Sequence, residues 1–170
     1  MTVSEVLPVE RLEPPISAAE ADAASSPVVD PAPAARLRIK PTSTHTGMVN
    51  GAWWPRSRDL VRELPPLIAA LDAVWGRIYH ATVQVGMWPA FPKKIITGEH
   101  VLRVGWFDAE QDPDDICLIS LRGGTRRDLL VVPPELDPET AERVMAAAAS
   151  ADNFQSAGDL LAAARGDSHR

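Results

Sequence analysis

With one cysteine, Cys117, in 170 residues, the chain has no intrachain disulfide to stabilise it. A lone thiol suits a reducing compartment, and its place in an apolar run makes it a small buried hydrophobe. No segment approaches the ~20 consecutive apolar residues that a membrane span needs. The N-terminal MTVSEVLPVERLEPP lacks the basic start and long apolar stretch of a secretory signal, so a cytoplasmic protein is expected. A surplus of bases is also missing. A net charge of −6 leaves no excess of Lys and Arg for neutralising phosphates, so no nucleic-acid partner is expected.

Motifs that announce chemistry are equally scarce. The sequence contains no GxxxxGK[ST], GxGxxG, GxSxG, HExxH or CxxC. His45, His80, His100 and His169 match no ligand spacing, so neither a metal nor a cofactor is expected. The acidic run Asp108-Ala109-Glu110-Gln111-Asp112-Pro113-Asp114-Asp115 lacks the alternation and central glycine of a calcium loop and reads as a solvated turn.

The bulk composition, 45% hydrophobic and 24% charged, is that of an ordinary globular protein, and the length suits one domain with appendages. Residues 1–35 carry six acids, one base and six prolines around a run of small residues, and read as a disordered acidic tail. From Arg36 to Arg103 ten bases face four acids, a net of +6; from Val104 onward six bases face thirteen acids, a net of −7. The folded part, taken as residues 36–165 with 166–170 as a loose C-terminus, is thus polarised along its length. Ordinary pairing between the halves explains this, as would a basic face aimed at an anion.

Arg36–Lys40 alternates like a half-buried strand and stops at Pro41; Met48–Trp54 is a second extended piece. Leu60, Leu64, Leu67, Ile68 and Leu71 share a helical face, but Pro65-Pro66 predicts a break, with a short turn from Ser57 and a main helix ending at Gly76. Strands are predicted over 78–85, 94–97, 101–107, 116–121 and 128–132, with tight connections at Gly98-Glu99 and Gly123-Gly124 making antiparallel neighbours. A helix follows from Pro138 with Asp137 as N-cap, and a last one covers 153–164, capped by Asp152 or Asn153. The expected fold is α+β, a single domain in which helices pack on an antiparallel sheet.

All five tryptophans, Trp53, Trp54, Trp75, Trp88 and Trp106, fall within residues 53–106 and outnumber Tyr and Phe together. Indoles gather where a core meets a polar opening. Trp88, on a loop stiffened by Pro89 and Pro92 and followed by Lys93-Lys94, is the one expected outside, where it would clamp a ligand. Pro55 disfavours helix at Trp54, so Trp53 and Trp54 point to opposite faces of an extended segment. One of them enters the core; the other needs a cover, a ligand or a partner.

Lys40-Pro41-Thr42, GAWWPRSRDL (residues 51–60), Trp75-Gly76-Arg77, Gly105-Trp106-Phe107 and Leu129–Pro134 together resemble a small actinobacterial family, a domain of unknown function, over about Arg36 to Ala164. High Ala, Arg and Pro content, with only two lysines after Lys40, also suits a high-GC actinobacterial genome. The resemblance carries no catalytic or binding residue. The functional expectation is therefore a non-enzymatic binding or regulatory module. Trp53, Trp54, Arg56, Arg58 and Trp88, with Lys40 and His45, would contact a small anionic ligand or a protein partner. The alternative is a metal-independent enzyme with its site near the Lys40–Asn50 loop, where Lys40, His45 and Asp59 would converge.

Overall fold

The extended Trp53-Trp54 pair sets the layering of the molecule. The structure is a computed structural model that describes residues 33–41, 47–90, 92–107 and 112–167. Seven strands form one sheet: β1 (Leu37–Ile39), β2 (Gly51–Trp53), β3 (Ile78–Gln84), β4 (Lys94–Ile96), β5 (Val101–Phe107), β6 (Asp115–Ser120) and β7 (Arg126–Val131). Their order across the sheet is β1-β2-β7-β6-β3-β5-β4. Helix α1 (Leu60–Trp75) packs with Trp53, Leu129 and Val131 on one face. Helices α2 (Pro138–Ala148) and α3 (Ala157–Asp167) pack with Ala52, Trp54, Leu130 and Val132 on the other. Successive residues of β2 and β7 thus feed two separate cores, as the two-residue strand period requires.

The α+β class is as read from the sequence, and Ala32–Arg170 is one compact unit. The sheet is mixed, however. The hairpins β4–β5 and β6–β7 are antiparallel as predicted, whereas β2 runs parallel to β7 and β3 parallel to β5. Both parallel pairs join strands that are not neighbours in sequence, where connection length gives no guidance.

Helix α1 passes through Pro65 and Pro66 without a break, contrary to the predicted interruption. An interior proline costs about 3 kcal/mol. The helix buries Leu60, Leu64, Leu67, Ile68, Leu71 and Trp75, each worth roughly 1.5–3 kcal/mol, which is enough to offset both. The N-cap is Asp59, whose carboxylate accepts from Val61 N at 3.1 Å; Ser57 instead donates to Glu63 Oε1 at 2.8 Å. Asp137 caps α2 as expected, accepting from Thr140 N at 2.9 Å. Helix α3 starts later than predicted and runs to Asp167; its first turn is capped by Ser156, whose Oγ accepts from Asp159 N at 3.2 Å.

At Gly51, paired with Ile39, β1 leaves no room for a side chain. A Cβ there would lie 2.2 Å from the Arg38 carbonyl oxygen and 2.7 Å from Ile39 Cα, both backbone atoms. Residues 1–32, His45, 108–111 and 168–170, which include most of the acidic tail and part of the acidic run, lie outside the described residues. No helix among the described residues is long and apolar enough to cross a membrane.

Candidate functional site

On β7, Arg126, Asp128 and Leu130 share a face, and Leu130 belongs to the core beneath α2 and α3. Across the β6–β7 ladder Cys117 is opposite Asp128 and Asp115 is opposite Leu130, so Asp115 and Cys117 face the same way. The strand period thus brings two carboxyls, a thiol and a guanidinium to one end of this core.

Three other segments complete the surroundings. Asn50 fixes the preceding residues to β7, its N–H donating to Asp128 O at 2.7 Å and its Oδ1 accepting from Asp128 N at 3.0 Å. Asp112 ties the approach to β6 to the start of α3, its Oδ1 accepting from Asp114 N at 3.2 Å and its Oδ2 from Gly158 N at 2.7 Å. Ser156 and Ala157 form the third side. Between these lies a half-open cavity of about 380 Å³, walled by Gly47–Val49, Asp112, Asp115, Arg126, Asp128, Ser156 and Ala157.

Asp115 is the unusual member. It is only 8% exposed, and its buried Oδ1 has no hydrogen-bond donor among the described residues. Burial pushes its carboxyl up to about 8, reinforced by the charge of Asp128, by a hydrogen bond shared with Asp128 and by Asp112, while Arg126 opposes the shift. The charge of Asp128 thus adds to burial in favouring the neutral form of Asp115. Arg126 pairs with Asp128, its Nη2 3.0 Å from Oδ1 and its Nε 3.2 Å from both carboxylate oxygens. The Cys117 thiol is pushed up to about 12, chiefly by burial and then by Asp128, which removes it from thiolate chemistry.

Lys40 stands behind Gly47. It is 3% exposed, and its Nζ donates to Asn153 O at 2.8 Å. Burial lowers its pKa. A Cβ on Gly47 would meet both that Nζ and the Asn153 carbonyl at 2.5 Å, so glycine is what lets the chain pass here.

The structure separates the other candidate binding residues into two groups. Trp53, 1% exposed, stacks on Trp88, 3% exposed, with ring centroids 5.7 Å apart and planes 17° from parallel. Trp88, expected outside, is therefore core; the exposed indole is Trp106, at 52%. Arg58 donates through Nη1 to Met87 O at 3.0 Å and through Nε and Nη2 to the two Glu135 oxygens at 2.8 Å. That pairing holds the Glu135 carboxylate below its usual range. On the opposite face Trp54 is 6% exposed and covered by the Arg36 guanidinium, 3.5 Å above its ring. Arg36 also donates through Nε to Trp54 O at 3.0 Å and through Nη2 to Pro55 O at 2.9 Å. Arg56 donates through Nη1 to Ala34 O at 2.9 Å. The two indoles therefore do not line one concavity, and His45 lies outside the described residues.

Asp115, Asp128 and Arg126 were not singled out from the sequence. The acidic run was read as a solvated turn, yet its last member, Asp115, is buried at the start of β6. A usable signal was parity: Asp115 and Cys117 alternate on one strand, and Asp128 and Leu130 on the next.

The chain matches the model of DUF5994, a family of unknown function, over residues 36–148, and it belongs to that family. The match includes the carboxyl pair and ends before α3. No curated protein and no solved structure matches the chain.

Proposed function

We propose that this member of the DUF5994 family is a non-enzymatic binding module whose ligand is a small polar molecule seated in the carboxylate-walled cavity at the start of α3. The observation that carries this reading is a cavity of about 380 Å³ whose wall carries the carboxyls of Asp112, Asp115 and Asp128 and the guanidinium of Arg126. The groups around it that resemble nucleophiles have structural tasks. Ser156 caps α3, and the Cys117 thiol is buried and held neutral. Trp53, Trp54 and Trp88 are buried and Arg58 is paired with Glu135, which turns the proposed contact to the cavity. The lone thiol and the Ala-, Arg- and Pro-rich composition fit an actinobacterial cytoplasmic protein.

The test is an amide-detected NMR titration of the full chain with small cationic, neutral and anionic compounds. Shifts confined to Val49, Asp115, Asp128 and Gly158 support the reading. A ligand whose shifts map instead to the Trp53–Trp88 stack or to the Arg36–Trp54 pair would overturn it.

One observation favours a metal-independent enzyme as the second reading. A carboxyl that keeps its proton to about pH 8 beside a second carboxylate is a ready general acid, and Gly47–Val49 of the loop first considered for such a site wall the same cavity. Turnover of a bound compound that disappears in Asp115→Asn would favour this reading over simple binding.

A further inference from the structure

Strand β4 ends the sheet at one edge, and its side chains divide between a core and an open face. Ile95, Leu102 and Val104 belong to the core beneath α1, so Lys94, Ile96, Val101 and Arg103 lie on the opposite face of β4 and β5. Helices α2 and α3 pack on that face against β1, β2 and β7, at the far end of the sheet. All four side chains are exposed, Ile96 to 76% and Val101 to 51%.

The register sets three bases in one row. Lys94 is opposite Arg103 on β5, and Arg103 is level with His80 on β3. His80 shares this face: a Cβ on Gly105, two residues along from Arg103, would meet its Nε2 at 3.1 Å. Among the described residues no carboxylate pairs with Lys94 or Arg103. Like charges directly opposite each other weaken a strand pair. A single lysine on a short edge strand is a common guard against unwanted pairing, but Arg103 sits on the inner strand and adds only repulsion to it. The row suits a carboxylate brought from outside, and Ile96 opposite Val101 puts an apolar pair beside it.

The edge is also open along its backbone. Thr97 N donates to His100 O and Val104 N to Lys93 O, both at 2.9 Å. Bonded pairs alternate along an antiparallel ladder, so Ile95 exchanges its bonds with Leu102. Lys94 and Ile96 therefore turn their N–H and C=O groups away from β5, towards the open edge.

We propose that β4 is a docking edge for an extended acidic segment of a partner protein, which adds a strand to the sheet. Added antiparallel, one partner residue exchanges both bonds with Lys94 and another, two positions earlier, does so with Ile96. The first is Asp or Glu, meeting Lys94 and Arg103; the second is apolar, meeting Ile96 and Val101. A second copy of the chain fits this edge poorly, because it brings the same bases with it. The edge is separate from the cavity at the start of α3, so either assignment can fail alone.

The experiment titrates the full chain with the peptide acetyl-Thr-Val-Thr-Glu-Thr-amide, following backbone amides by NMR. Shifts are expected at Lys94, Ile95 and Ile96, and replacing the peptide's Glu by Lys should remove them. Methylating the peptide nitrogen of Val or Glu should abolish binding, whereas methylating that of the central Thr, which faces away from β4, should leave it. Lys94→Glu removes a like-charge pair, so its urea midpoint should not fall. It should weaken the Glu peptide about tenfold and let the Lys peptide bind instead. The unaltered chain with the peptide series decides the matter even if that variant misfolds. Equal binding of the Lys peptide, or indifference to methylation at Val and Glu, would overturn the proposal. So would the absence of shifts at β4 with every peptide. A doubled mass in sedimentation that is lost in Lys94→Glu would give the edge to a second copy. Tighter binding of oligo-dT than of the Glu peptide at these amides would give it to nucleic acid.

Discussion

The indole of Trp53 stacks on that of Trp88 across 5.7 Å, joining a strand to a loop 35 positions further along the chain. The stack lies in the core beneath α1, and Arg58 holds the neighbouring Met87 carbonyl. Trp88→Ala should therefore cost about 3–5 kcal/mol in urea unfolding, as for other large aromatic truncations. A Trp53/Trp88 double-mutant cycle should return a coupling of about 0.5–1.5 kcal/mol. A fully folded Trp88→Ala chain of unchanged stability would show the stack to be incidental.

Arg36 is the cover of the second indole, and its role depends on shape as well as charge. Arg36→Lys keeps the cation and loses the planar fork that reaches the Trp54 and Pro55 carbonyls. The expected loss is about 1–2 kcal/mol in thermal or urea unfolding, with a red shift of the Trp54 emission as water reaches the ring. Arg36→Ala should lose more than Arg36→Lys.

Asp115 makes stability depend on pH in a direction opposite to that of an ion-paired carboxylate. Folded, it keeps its proton to about pH 8; unfolded, it releases it near the ordinary value of 3.8. Its contribution is fully present below about pH 4 and is lost as pH rises towards 8, with a slope of at most about 1.4 kcal/mol per unit. Asp115→Asn keeps the shape and cannot ionise. Urea titrations from pH 5 to 8 should show the variant gaining on the parent chain as pH rises; parallel curves would refute the buried proton.

Gly51→Ala places a methyl against the Arg38 carbonyl, where only backbone can give way. The β1–β2 pairing should open, and hydrogen exchange should speed at Lys40 N, which donates to Asn50 O at 2.8 Å. Gly98→Ala is the control, because a Cβ there meets nothing within 4 Å, although both glycines have positive φ.

Elements whose signals are local were legible in the sequence. The α+β class, the two hairpins at Gly98 and Gly123-Gly124, and the Asp137 cap each rest on a few adjacent residues. So did the opposite facing of Trp53 and Trp54, since Pro55 forces an extended backbone there. The parallel pairs β2–β7 and β3–β5 depend on which distant strands meet, which no local spacing encodes. The helix through Pro65-Pro66 survives on burial that exists only once the sheet is formed. Trp88 read as exposed because its loop is rigid and flanked by lysines, although the ring had an indole to meet on β2. The carboxyl pair was hidden for a similar reason: Asp115 and Asp128 are thirteen residues apart and become neighbours only through the β6–β7 register.

The Asp112–Gly158 hydrogen bond, 2.7 Å long, fastens a helix beyond residue 148 to a cavity whose carboxyls all lie before it. A fragment ending where the family match ends would keep the buried acid and its arginine-bound neighbour but lose one wall of the cavity. It would also strip Ala157, Leu160 and Leu161 from the Trp54 core. Such a fragment would bring water to a carboxyl whose burial is the main cause of its raised value, so Asp115 would titrate lower, with Asp128 still holding it up. The last helix thus acts as an insulator for a cavity wall that includes a residue on β6 more than forty positions away.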